Sequence, residues 1–235
     1  MKRTTPALLA LAAVLLVGAC GGGTTTAASS SSAGTTSSTT PSVDAAAEEE
    51  AIRQAFADYR DAARAKDGAA AAKVLSQDSL DYYREMRDLS LTGTAEQLGD
   101  QGTTTMMMVY VMRAEFDATE LRGMSAEQLV AAAVEKGLVS ESSLDNVDLG
   151  TMTVDGETAT AKMTVSGKPA GIEMTFRKED GSWRFDAHSI MAAVDESLKA
   201  VAKQQGLSME EFIDTALGSL YGADRVPELK KPLEG

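Results

Sequence analysis

The sequence predicts an α+β fold: N-terminal helices packed on a curved, cone-like, four-stranded antiparallel meander, with extra helices after the sheet. The prediction rests first on a change of period. Apolar residues recur at helical spacing from about residue 45 to 136, alternate with polar ones from 147 to 186, and return to helical spacing after 189. It rests second on two capping-box patterns, Ser125 to Gln128 and Ser208 to Glu211, each opening an apolar periodic run. Third, Asp180-Gly181 lies between two alternating runs, which is a strong short-range hairpin signal.

In chain order, the first helix is expected over Ala45 to Ala65. Ile52, Phe56, Tyr59 and Ala63 form its apolar face, and Glu48, Glu49, Arg53, Arg60, Asp61 and Arg64 its polar one. Gly68 ends it, an Ala-rich second helix follows over Ala69 to Ser76, and a third runs from an acidic cap at Asp78 to Leu89. Residues 92–102 read as a loop with one short helical turn. The apolar run at 106–112 suits a buried helix or a buried strand. Its methionines and the Arg-Ala-Glu-Phe that follows favour helix. The Ser125 box opens a helix through Lys136 that stops at Gly137, with Leu138 behind it as in a glycine C-cap. Four strands follow at 147–154, 158–165, 172–179 and 182–186. One parity is apolar, running from Met152 and Val154 through Ala159, Ala161, Met163, Val165, Ile172, Met174 and Phe176 to Trp183 and Phe185. The other is polar and includes Thr158, Thr160, Lys162, Glu173, Thr175, Arg177, Arg184 and Asp186. Ile190, Val194, Leu198 and Val201 mark a further amphipathic helix ended by Gly206. The Ser208 box opens the last helix, and the tail from Pro227 is expected to be extended.

The chain begins differently. Lys2 and Arg3 precede an apolar run, Ala7 to Val17, which is too short for a bilayer span of roughly 20 residues but suits the core of a signal peptide. Val17-Gly18-Ala19-Cys20 closes it, and Cys20 is the sole cysteine of 235 residues. This stretch resembles the bacterial lipobox. The resemblance implies that residues 1–19 are a lipoprotein signal peptide and that Cys20 becomes a lipidated N-terminus. The partner is then the cell membrane, reached from its extracytoplasmic face. Two acyl chains on one residue anchor stably where a single chain holds only marginally. With no second cysteine, disulfides, thiolate nucleophiles and thiolate metal sites are excluded from the rest of the chain. Fourteen of the 23 residues at 21–43 are Ser or Thr, so residues 20–43 read as the lipidated cysteine and a disordered tether. As a flexible coil it would span roughly 25–30 Å.

The formal net charge is −13, and it moves to −15 once Lys2 and Arg3 leave with the signal peptide. Such a surface repels phosphate backbones, so no nucleic-acid partner is expected. No Gly-rich phosphate loop, Ser nucleophile elbow or His-x-x-x-His is present, and no cofactor is expected. The 12 methionines raise soft-metal ligation, but those on the sheet sit at core parity in regular elements, where methionine fills irregular space. No metal is expected.

The opening "IRQAFADYRDAARAKDGAAAAKVLS" (52–76) and the closing "ATAKMTVSGKPAGIEMTFRKEDGSWRFD" (159–186) together resemble the nuclear transport factor two-like superfamily. The resemblance covers about 44–188 and makes 189–235 a C-terminal helical extension; the helices near 94–138 also depart from the minimal pattern. It implies a pocket between helices and sheet. Phe56, Tyr59, Met108, Met163, Met174, Phe176 and Trp183 are the candidate lining residues, for an apolar small molecule. The superfamily's isomerases and cyclases imply an acid–base pair in such a pocket. Tyr59 lies where a catalytic tyrosine would sit, and Asp186 and His188 are the other weak candidates. However, the two-residue turn pairs Glu173 with His188 and turns both His188 and Asp186 away from the interior. The leading expectation is therefore a non-enzymatic ligand-binding or interaction module on a membrane tether. An isomerase- or cyclase-type enzyme, or a structural partner of another envelope protein, are the alternatives.

Overall fold

The computed structural model describes residues 43–139 and 144–234. The signal peptide, Cys20 and the tether up to residue 42 lie outside the described residues. The described chain is α+β, with helices first, an open four-stranded antiparallel sheet in the order β1-β2-β3-β4, and helices again.

Helix α1 (Val43–Ala65) buries Ile52, Phe56, Tyr59 and Ala63, the stripe read from the sequence. Its arginines are not merely solvated. Arg53 donates to the carbonyls of Leu149 (2.6 Å) and Gly150 (3.1 Å), Arg60 donates to Val147 O, and Arg64 pairs with Asp145. The Arg53 and Arg60 guanidinium groups occupy carbonyls of the outer strand β1 and so blunt a sheet edge.

Helix α2 (Gly68–Lys73) is shorter than expected. Residues 74–76 leave the helix to run parallel to β4: Phe185 N donates to Val74 O and Ser76 N to Phe185 O. The backbone groups that would have prolonged the helix are used by the sheet instead. Helix α3 (Gln77–Thr92) therefore starts on Ser76, not Asp78. The Ser76 hydroxyl accepts from Ser79 N, and Glu179 of the sheet accepts from Gln77 N. Helices α4 (Ala95–Gly99), α5 (Thr103–Glu115), α6 (Ala118–Gly123) and α7 (Ala126–Glu135) follow, so the methionine run is helical. The Ser125 box is present in full, and Gly137, at φ +74°, ends α7 with Leu138 N bonded to Ala133 O.

The sheet comprises β1 (Val147–Asp155), β2 (Thr158–Val165), β3 (Lys168–Glu179) and β4 (Ser182–Asp186). Asp180 and Gly181 both take positive φ, as a type I′ hairpin turn requires, and they set Glu179 opposite Ser182 and Phe176 opposite Phe185. Strand β3 begins earlier than the alternation suggested. A bulge, with Gly171 at φ +73°, lets Lys168 and Pro169 pair with Val165 and Thr164.

The expected pairing of Glu173 with His188 does not form. Strand β4 ends at Asp186, opposite Thr175, and the chain enters a 3₁₀ turn, Ala187–Ile190. Helices α8 (Met191–Gln204) and α9 (Met209–Tyr221) come next. The tail is not extended throughout. Pro227 sits in the first turn of α10 (Val226–Leu229), a place where its missing N–H costs nothing. Beyond α10, Leu233 N and Glu234 N bond to the carbonyls of Ser90 and Leu91 at the end of α3.

Candidate functional site

The residues expected to line an interior pocket are packed against one another. The Phe185 ring lies 6.0 Å from Phe56, 5.4 Å from Tyr59 and 5.6 Å from Phe176. Phe56, Tyr59, Met163, Met174 and Phe176 are all buried in this one core, and Met108 is half-buried on α5. Tyr59 is held far from titration: burial alone pushes it up to about 12, with no charged group contributing. A tyrosine without an acid or base beside it is a packing residue.

Asp186 is buried rather than turned to solvent as its parity suggested. The strand ends there, and its carboxylate folds over the following turn. It accepts from the backbone N–H of His188 (3.1 Å) and Ser189 (3.3 Å), with Arg177 Nε at 3.5 Å. His188 meets Asp186 through its backbone and not through its ring. The imidazole is exposed and stacks on Tyr82, with centroids 4.4 Å apart and planes 13° apart. Tyr82 in turn shares a 2.7 Å hydrogen bond with Thr105. Tyr59, Asp186 and His188 therefore do not form an acid–base constellation. Asp186 is a cap, Tyr59 is core, and His188 covers a tyrosine.

Trp183, among the candidates, lines an open cleft. This groove, of about 610 Å³, runs between α1 and the β3–β4 hairpin. Ala47, Ala51, Ala55 and Val74 lie along it with Trp183, and Glu48, Lys178 and Arg184 stand at its sides. The Glu48 carboxylate accepts both from the Lys178 ammonium and from the Trp183 indole N–H, and the ammonium also lies 5.7 Å from the indole centroid. The bond to Lys178, then the one to Trp183, holds the Glu48 carboxyl below its ordinary value. Sequence reading placed Glu48 on a solvated face because its partners lie 130 and 135 residues away. A second cleft, about 340 Å³, follows the exposed side of α3 past Asp81, Arg84, Glu85 and Asp88.

A carboxyl whose folded pKa is depressed contributes stability above its unfolded value and loses it as pH falls. Trp183, the sole tryptophan, is the reporter. Its emission is expected to stay constant as pH falls through the ordinary carboxyl range and to change only at lower pH, whereas Glu48→Gln shows the altered emission already at pH 7. Wild-type emission that matches that of Glu48→Gln at pH 7 would count against the Glu48–Trp183 contact.

Among the described residues, no group of three or more His, Cys, Asp or Glu is placed to hold a metal ion. No helix among them is long and apolar enough to cross a membrane. Fold and site together define an α+β domain with a packed core and surface clefts along α1 and α3. No protein family, curated protein or solved structure matches the chain.

Proposed function

We propose that this protein is a lipoprotein, anchored to the extracytoplasmic face of a cell membrane through Cys20, whose α+β domain is a non-catalytic interaction module of nuclear transport factor two-like type. The anchor reading is supported by Val17-Gly18-Ala19-Cys20 behind a basic start and a short apolar run, with a Ser/Thr-rich spacer after it. The observation that carries the module reading is the core. Phe56, Tyr59, Met174, Phe176 and Phe185 fill the space between helices and sheet that a ligand-binding or catalytic member would keep open. Recognition is then left to the surface and directed at a protein of the envelope. The isomerase or cyclase reading needs an acid facing Tyr59, and burial alone accounts for the state of that tyrosine.

Two measurements test the two halves. Cys20→Ala in a bacterial host is expected to move the protein from the membrane pellet to the soluble fraction; retention in the pellet would sink the anchor. For the module, the chain from residue 20 carrying Cys20→Ala is purified without detergent and incubated with a lipid extract. Its native and denaturing masses are expected to agree. An added mass that leaves only on denaturation would mean that the interior opens for an apolar ligand.

A further inference from the structure

Helix α8 is the least embedded of the long helices. Only Leu198 and Ala202 of its 14 residues are buried, whereas α9 buries four of 13 and α3 seven of 16. Its other apolar residues, Met191, Val194 and Val201, are half-buried. It is bounded by the 3₁₀ turn at Ala187–Ile190 and by Gly206 at φ +70°.

Besides Leu198 and Ala202, one carboxylate fastens α8 to the rest of the domain. Helix α5 lacks a side-chain cap of its own, because its N-cap is Gly102. Asp195 of α8 takes that role. Its Oδ1 accepts from Thr104 N at 2.6 Å and also from the Thr104 hydroxyl, and its Oδ2 accepts from Thr103 N at 3.2 Å. The fit depends on glycine: a Cβ at Gly102, where φ is +93°, would stand 2.4 Å from Asp195 Oδ2. The α5 amino end is thus shaped to receive a carboxylate from another element, and that carboxylate belongs to the helix with the least apolar attachment.

We propose that α8 is a strap, released and re-seated as a unit by breaking and making the Asp195 contact while the rest of the domain stays folded. The module then presents two surfaces, one with α8 seated and one with the amino end of α5 uncovered. Helix α9 stays in place through Phe212, Ile213, Ala216 and Leu217, so release of α8 does not require loss of the C-terminal segment. This inference is independent of the membrane anchor, and either can fail while the other stands.

Hydrogen exchange on the mature full-length chain, read by mass spectrometry, tests it. Wild-type α8 amides are expected to exchange well before those of α1 and α3. Hydrogen bonds to a charged group contribute roughly 1.5–3 kcal/mol, so Asp195→Asn is expected to speed α8 exchange by about tenfold or more. It should leave α1, α3 and β2 unchanged. Leu198→Ala, which removes the apolar part of the attachment, should accelerate the same amides. Exchange of α8 at the rate of the core helices would overturn the proposal. So would an acceleration in either variant that spreads equally over α1, α3 and α8, or global unfolding of both.

Discussion

Gly68→Ala is expected to destabilise the domain by about 3 kcal/mol or more, because overpacking a filled core costs roughly 1–3 kcal/mol even where side chains can yield. Here nothing can yield. Gly68 is the buried first residue of α2, and a Cβ on it would lie 2.2 Å from Ala131 O, 2.4 Å from Ala131 Cα and 2.6 Å from Ala131 C. All three are backbone atoms of α7. No rotamer relieves the clash, so the two helices must separate. Ala71 and Ala72 on one side and Leu129, Val130 and Val134 on the other belong to the core that this crossing closes. For a domain of this size the loss corresponds to a fall in Tm of roughly 6–12 °C. Gly99→Ala is the control: a Cβ there meets nothing within 4 Å, and the change is expected to be neutral or slightly stabilising. Thermal unfolding by circular dichroism reads both. A Gly68→Ala variant that melts with the wild type would mean that α2 and α7 do not cross so closely.

Arg113→Met is expected to cost about 3–5 kcal/mol, the scale seen when one side of a buried charged arrangement is removed. Arg113, on α5, is 4% exposed, and among the described residues its hydrogen-bond partners include no carboxylate. It donates instead to five carbonyls: Leu89, Ser90 and Gly93 at the end of α3, and Leu229 and Lys230 at the end of α10. These are the groups a helix C-terminus leaves without partners, and they carry the negative end of the helix dipole. One guanidinium therefore closes two helix ends and ties the C-terminal segment to α3. Burial lowers the pKa of Arg113 from its ordinary value, yet a guanidinium that starts so high stays charged. Methionine would fill part of the volume and take the donor from the carbonyls of Gly93, Leu229 and Lys230, while those of Leu89 and Ser90 keep only the N–H groups of Gly93 and Leu233. Residues 226–234 are then expected to become sensitive to limited proteolysis at temperatures where α1 and the sheet remain folded. Arg113→Lys should be intermediate, since an ammonium has three donors at one point and cannot span both helix ends. A methionine variant with wild-type Tm and an intact tail would show that the five bonds contribute nothing net.

Several features that decide this fold were legible locally. The Ser125 and Ser208 boxes, the Asp180-Gly181 turn with its register, the Gly137 stop and the apolar parity of β2 all emerge as read, because each is set by residues within a few positions of one another. Most of the misreadings share one cause. Asp186 turns inward to cap the turn that follows it, whereas helix α2 ends early, His188 lies on Tyr82, and the tail folds back on α3 because each obeys a partner far along the chain. The same holds for Arg113, Glu48 and Asp195. They resemble ordinary polar residues until the segments that hold their acceptors and donors are brought beside them.

By itself, then, the sequence determined the α+β class, the succession of helices, sheet and helices, the strand register at the hairpin and the expectation of a lipid anchor at Cys20. Periodicity, capping and turn chemistry are short-range and are written in consecutive residues. Only the tertiary structure decided that the interior is filled by Phe56, Tyr59, Phe176 and Phe185, that burial alone sets the state of Tyr59, and that Asp195 of α8 caps α5. Whether a space between helix and sheet is open or closed depends on the distance between elements. Close approaches such as that of Gly68 to Ala131 set that distance, and they join positions that no local pattern connects.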